Sequence, residues 1–345
     1  MRKVTRSAIA ASKTQVTKCL AVLFVFGLAL GVGFLHAQPP ESAEGIIRSD
    51  VPLVLAPVTV TDKNGNSIDG LTAADFRLTD DGSARKLRLD TSDTVVAPVS
   101  VAVLIQASGI SAPELVRIAQ VGGMIKPLVA GDRGQAAVIT FDREIRVAQI
   151  FTPDSTLIRT AFEHIPSLGI RTARLLDAVA EGVKMLETRP SGNRRIMLIL
   201  AESRDRGSKA KLNDVVEQAQ RSGVVIYSGT YSVQAATFTA RPEDAPSMPG
   251  DANYIAGINE LMRLGKTNAA NALARATGGQ HLSFLKQASL EDTIARVGAE
   301  IHSQYLLSFQ PNENKNPGFH QIQVAVPSRP DAVIRVRPGY WAAKP

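Results

Sequence analysis

A chain of 345 residues exceeds one small core and divides into two domains or so, at roughly 100–200 residues each. Hydrophobic residues at 44% and charged residues at 21% exclude a disordered or fibrous chain. The formal charge of +7 would favour a nucleic-acid or anionic-membrane partner, but five of the 39 Lys and Arg (Arg2, Lys3, Arg6, Lys13, Lys18) precede an apolar run and no acid accompanies them. The remaining 34 basic side chains face 32 acidic ones, and an excess of +2 leaves no case for nucleic acid.

That basic head, the apolar run Leu20–Leu35 with Phe24, Phe26 and Phe34, and Leu35-His36-Ala37 ahead of Gln38-Pro39-Pro40 read as an export signal over 1–37, cleaved after Ala37. The expected location is exported: periplasmic, envelope-associated or secreted, with no stable membrane insertion after cleavage. The apolar run is shorter than the roughly 20 residues of a bilayer span, so a retained anchor is the alternative. Cys19, the only cysteine, lies inside this segment. The mature chain therefore has no disulfide, and burial alone must stabilise it.

Residues 38–50 read as a flexible linker and 51–96 as a β segment. Val51 to Thr61 alternates and is rich in β-branched residues; Lys63-Asn64-Gly65-Asn66 turns the strand back, and Asp80-Asp81-Gly82 marks a second tight turn. From Val99 strands and helices alternate, as in a mostly parallel sheet covered on both faces. Strands are expected at 100–105, 134–141, 146–151, 195–201, 224–228 and 281–284, the second and third forming an edge hairpin. Helices are expected at 113–129, 155–164, 173–186, 209–221, 258–277 and 289–303. A long surface loop, Gln234 to Asn253, carries Pro242, Pro246, Pro249 and Gly250. Residues 304–345 alternate again and read as a β segment that pairs with the N-terminal one in a small sandwich.

Val58-Thr-Val-Thr-Asp-Lys-Asn-Gly-Asn and Leu71-Thr-Ala-Ala-Asp-Phe near the start, with Gln304-Tyr-Leu-Leu-Ser-Phe-Gln-Pro and Arg337-Pro-Gly-Tyr near the end, carry a resemblance. The chain resembles exported bacterial proteins in which a von Willebrand factor A domain, here 97–303, lies between β segments. The resemblance implies an α/β fold with a doubly wound, mostly parallel Rossmann-like sheet, helices on both faces, and a β-sandwich from the two ends. It also implies a metal-ion-dependent adhesion site, in which Asp-x-Ser-x-Ser, a Thr and a later Asp hold a divalent cation completed by a partner's carboxylate.

The ligand set departs from that pattern. Gln106 stands for the first Asp, Ser108 matches the first Ser, Ile110 replaces the second, Thr172 matches the Thr, and Glu202 stands for the last Asp. An amide and an aliphatic chain remove charge and donors that a hard cation requires. The expectation is a degenerate site and no cofactor. Glu202, one methylene longer than Asp, leaves a weak Mg²⁺ or Mn²⁺ site as an alternative. The expected function is a non-catalytic protein-binding module whose rim is Ser108, Gly109, Thr172, Glu202 and Arg204. The alternatives are a structural component of an envelope or secreted assembly, a metal-dependent adhesin and, most distantly, a hydrolase.

Ser108, Thr172 and Ser111 have a blander reading as helix caps, Ser111 ahead of Ala112-Pro113-Glu114 above all. Arg194-Arg195 with Arg204 and Arg206 reads as one basic cluster on a solvated rim. Asp62-Lys-Asn64-Gly-Asn66 begins like a calcium loop, but Gly falls at the fourth place and Ala73 at the twelfth, so a hairpin turn is expected. His164, His281, His302 and His320 lack paired zinc spacing and suit packing roles. No nucleophile turn or phosphate loop is present.

Overall fold

The computed structural model describes residues 53–89, 98–128, 134–167, 169, 171–190, 192–231, 265, 267–284, 286–311 and 317–342. The expected signal, linker and 234–253 loop lie outside these residues. No helix among those described is long and apolar enough to cross a membrane.

The first strand, β1 (Val54–Thr61), points Val54, Ala56, Val58 and Val60 to one face, as its alternation requires. It ends in the expected turn: the Asp62 carboxylate accepts the Asn64 and Asn66 N–H groups, each at 2.8 Å, and Gly65 supplies φ +85°. After β2 (Arg77–Asp80), Asp81 and Gly82 both adopt positive φ and lead directly into β3 (Ser83–Arg85). The short β4 (Leu87–Leu89) completes this segment.

The central sheet opens with β5 (Val99–Gln106), buried along its whole length. Val101, Val103 and Ile105 face one helical layer. That layer holds Leu115 and Ile118 of α1 (Ala112–Gln120), Ile158 and Phe162 of α2 (Ser155–Glu163), and Leu290, Ile294 and Val297 of the C-terminal helix. Ala102 and Leu104 face the other, built from α3 (Leu175–Glu187), α4 (Leu212–Arg221) and α5 (Ala269–Thr277). A strand covered on both sides has no polar face, which is why its sequence is a continuous apolar run.

The other strands are β6 (Gln135–Phe141), β7 (Ile145–Thr152), β8 (Arg194–Glu202), β9 (Val224–Tyr231) and β10 (His281–Ser283). The sheet order is β10-β9-β8-β5-β6-β7, parallel except for the edge hairpin β6–β7. The C-terminal helix, α6 (Gln287–Ser303), leads into β11 (Tyr305–Phe309), β12 (Gly318–Ala325), β13 (Val333–Val336) and β14 (Gly339–Ala342).

The two chain ends build two antiparallel sheets, β13-β1-β11-β4 and β14-β12-β2-β3. They enclose a third core of Val58, Val60, Phe76, Leu78, Leu307, Phe309, Ile322 and Tyr340. The fold is thus α/β, a doubly wound and mostly parallel sheet accompanied by a small β-sandwich of N- and C-terminal strands.

Three helix boundaries differ from expectation, one of them the helix expected over 258–277: α5 begins at Ala269, where the Asn268 side chain caps it by accepting the Asn271 N–H, and 258–264 lie outside the described residues. The helix expected over 113–129 stops at Gln120 and continues as a 3-10 turn over Gly122–Leu128. Gly122-Gly123 weakens the α-helix, and a side chain at Gly122 would meet the Phe162 Cβ at 2.8 Å. The helix expected from Lys209 begins at Leu212, because the Asp177 carboxylate holds the Lys209 and Ala210 N–H groups at 3.1 and 2.8 Å. At the other end of α5, Gly278 adopts φ +82° and closes the helix as its sequence suggested.

Candidate functional site

Chain order reverses at β5, which has β6 on one side and β8 on the other. In an open sheet, the crevice at the carboxyl ends of the strands flanking such a reversal is where ligands bind. Gln106 ends β5 and Glu202 ends β8, so the topology brings these two residues together at that crevice.

Their contacts fix the amide orientation. The Glu202 backbone N–H donates to Gln106 Oε1 at 2.9 Å, and since an N–H can only donate, the amide nitrogen faces the other way. It donates to Ser108 Oγ at 2.7 Å. The Tyr231 hydroxyl donates to Ser111 Oγ at 2.6 Å, and Ser111 Oγ lies 3.1 Å from Ser108 Oγ. Burial pushes the Tyr231 phenol well above its ordinary pKa, so it keeps its proton and remains a donor. Ser111 Oγ accepts from Tyr231 and shares a further hydrogen bond with Ser108 Oγ, in which either hydroxyl can donate, while Ser108 Oγ accepts from the Gln106 amide. Gln106, Ser108 and Ser111 are all fully buried.

The neighbouring loops close over this network. Gly109 lies so near Gly169 that a Cβ on it would meet the Gly169 carbonyl carbon at 2.6 Å, and Gly169 itself adopts φ +69°. That approach draws the loop carrying Thr172 onto the loop carrying Ser108. Thr172 is half-buried, and its hydroxyl makes no hydrogen bond among the described residues. Ala173 and Arg206 then exchange two backbone hydrogen bonds of 3.0 and 2.8 Å. The Arg206 guanidinium grips the Glu202 carboxylate through Nε at 3.0 Å and Nη2 at 2.8 Å. Arg204 is exposed.

The candidate donors are already bonded within the protein. A hard cation needs free oxygen lone pairs in a near-octahedral set. The Ser108 oxygen accepts from the Gln106 amide and shares a hydrogen bond with Ser111, the Gln106 oxygen is turned to a backbone N–H, and Glu202 is paired with a guanidinium.

The capping explanation fails for Ser111 and Ser108: each occupies an N-cap position, and neither side chain caps its helix. Their hydroxyls complete the network with Tyr231, a residue sequence reasoning did not nominate. The basic cluster also divides. Arg194 and Arg195 begin β8 whereas Arg204 and Arg206 follow its end, about 25 Å away at roughly 3.3 Å per residue. Nor is Arg194 on a solvated rim, since it donates to the Ile301 carbonyl and to Gln304 Oε1. Arg195 binds the Ser222, Glu187 and Arg189 carbonyls.

Two other constellations are structural. Ser228, His281 and Asn268 line up with Ser228 Oγ 2.9 Å from His281 Nδ1, but Ser228 is buried and its hydroxyl points at the Ala270 carbonyl. The serine therefore accepts from the imidazole, the reverse of nucleophile activation. Asp80, Asp81 and His320 also converge. Buried Asp80 holds Arg85 at 3.1 Å and the Tyr340 hydroxyl at 3.3 Å. Asp81 holds His320 Nδ1 and the Gln321 N–H, each at 2.8 Å, so the group latches the β2–β3 turn to β12.

No protein-family model matches the chain, and no curated protein matches it. Among solved structures it is similar to an aerotolerance-related membrane protein from Bacteroides fragilis carrying multiple mutations to serines, at 13% identity over 59% of this chain and 98% of that one, TM-score 0.41. It is also similar to the protein BatB from Bacteroides thetaiotaomicron, at 12% identity over 58% and 99%, TM-score 0.38. A third is the vWF domain of the type V pili tip protein Mfa5 from Porphyromonas gingivalis, at 11% over 61% and 96%, TM-score 0.40.

Proposed function

We propose that this chain, whose central domain is von Willebrand factor A-like in fold, is an exported, non-catalytic protein-binding module. Its partner surface is the rim formed by Ser108, Gly109, Thr172, Glu202 and Arg204, and it needs neither Mg²⁺ nor Mn²⁺. The observation that carries this reading is the chain Gln106–Ser108–Ser111–Tyr231, which engages the buried polar groups internally, while Arg204 and Arg206 stand exposed beside it.

The test blocks the rim without removing any charge. In a Cys19→Ala background, Ser203→Cys is coupled to a bulky maleimide polymer, and capture from the native envelope is compared with that of the unmodified chain. Loss of the captured protein on coupling is expected. Its retention would transfer the contact to the β-sandwich and favour a structural component of an envelope assembly. Cell fractionation checks the exported location: mature chain in the cytosol would contradict it.

A further inference from the structure

Arg206 places a guanidinium in the protein's own crevice, with its charge matched by Glu202. A guanidinium carries five N–H donors in a planar fork. Glu202 engages two of them, and the other three make no hydrogen bond among the described residues, on a side chain that is 40% exposed. The base of the fork is held firmly, because the Arg206 backbone is bonded in both directions to Ala173. A carboxylate pinned on one side of a fixed guanidinium leaves the opposite edge ready for a second carboxylate.

The charges around this pair lean the same way. Arg171, two residues before Ala173, and Arg204, two before Arg206, are exposed and carry no ion pair among the described residues. The carboxylates nearby are engaged. Asp177 holds Arg174 and the Lys209 and Ala210 N–H groups; Asp142 holds Arg146; Asp205 accepts the Leu176 N–H and the Ser208 N–H and hydroxyl. Arg171 and Arg204 thus add positive charge beside the free edge of Arg206. No exposed aromatic residue lies among the described residues to stack a base, so an acidic peptide suits the surface better than a single-stranded nucleic acid.

We propose that Arg206 serves as a fixed organic cation at this rim and that, with Arg171 and Arg204, it binds an acidic segment of the partner protein without any metal. This rests on the protein-binding reading above and gives the partner a chemistry. The test is fluorescence anisotropy of the full chain with a labelled Glu/Asp-rich peptide, its Gln/Asn counterpart, and an oligothymidylate of equal length. Each is measured in EDTA and again with excess Mg²⁺.

Binding of the acidic peptide in EDTA, weakened by added salt, is expected. The exposed double variant Arg171→Glu/Arg204→Glu is expected to weaken it about tenfold, as is Arg206→Lys, which keeps the charge but loses the fork. Absence of acidic-peptide binding, dependence on Mg²⁺, equally tight oligothymidylate, or indifference to all three substitutions would each overturn the proposal. The polymer block at Ser203 separates the two readings. If the native partner is lost on coupling while the charge-reversed chain retains it, the rim binds protein but not through these cations.

Discussion

Gln106 decides what the crevice can do, since it occupies the end of the central strand with an amide that both accepts and donates. A carboxylate in its place would keep the acceptor toward the Glu202 N–H but remove the donor toward Ser108, and it would bury a charge with no cation in contact. Gln106→Glu should therefore cost about 2–4 kcal/mol at neutral pH, with the loss shrinking in acid as the new carboxyl protonates. Urea unfolding at several pH values measures this, and unchanged stability would mean that the network around Ser108 is absent. The second residue-scale consequence concerns His281. Burial, with a smaller effect from Arg275, lowers its pKa to about 4 from an ordinary value of about 6.5. Its protonation is thus weaker in the folded chain than in the unfolded one. Stability from this group is intact above about pH 6.5, falls as pH drops toward 4, and levels off below that, for a total of up to about 3 kcal/mol. His281→Gln should be less stable than the parent near pH 8, and the gap should narrow or reverse near pH 4.5. Parallel melting curves across that range would sink the idea.

Among the elements, the loops after β5 and before α3 meet backbone to backbone, and that contact depends on Gly109. An added methyl would lie 2.6–2.7 Å from the Gly169 backbone, so Gly109→Ala must push the Thr172 loop outward. A cost of about 1–3 kcal/mol is expected. Acidic-peptide affinity should fall with it, while Gly123→Ala, which meets nothing within 4 Å, should leave binding unchanged. Equal behaviour of the two variants would show that the rim does not depend on this approach. These elements also separate what can be read along the chain from what cannot. Continuous apolar runs such as Val101-Ala-Val-Leu-Ile make buried parallel strands legible, and period-two alternation does the same for β1, β12 and β13, because both patterns are consequences of local burial. Gln106, Ser108, Thr172 and Glu202 were named by the resemblance and not by any such pattern, although the strand ends that carry Gln106 and Glu202 follow from it. Their bonding was not legible. Tyr231 reaches Ser111 across 120 residues, Asp177 sets the start of α4 from another helix, and Arg194 reaches the Ile301 carbonyl of α6. No periodicity records contacts of that kind.

At the scale of the whole molecule, the sandwich cannot form from either end alone. Strand β1 lies between β11 and β13, and β2 between β12 and β3, so apart from the β2–β3 hairpin every N-terminal strand is paired with the C-terminal tail. The sandwich is also tied to the α/β domain through buried charge. Glu300 on α6 accepts the Tyr227 hydroxyl of β9 at 2.9 Å and the Thr59 hydroxyl of β1 at 3.1 Å, and it pairs with Arg335 of β13. Arg337, fully buried and with its pKa brought down to about 10 by desolvation, donates to the Gln220 carbonyl at the end of α4. Domains joined by a small polar interface ordinarily move and unfold separately. Here a carboxylate shared by three elements opposes that, because separating the two parts would strand Glu300 and Arg335 apart from each other. The mature chain should accordingly unfold in one calorimetric transition whose measured enthalpy equals the van't Hoff value. Glu300→Gln, leaving Arg335 without its counter-charge, should cost about 3–5 kcal/mol, and the double change Glu300→Leu/Arg335→Met should recover much of that loss. Two resolved transitions in the parent chain would show that the sandwich and the α/β domain are only tethered. The Glu300 variant would then destabilise whichever transition belongs to α6 and leave the other in place.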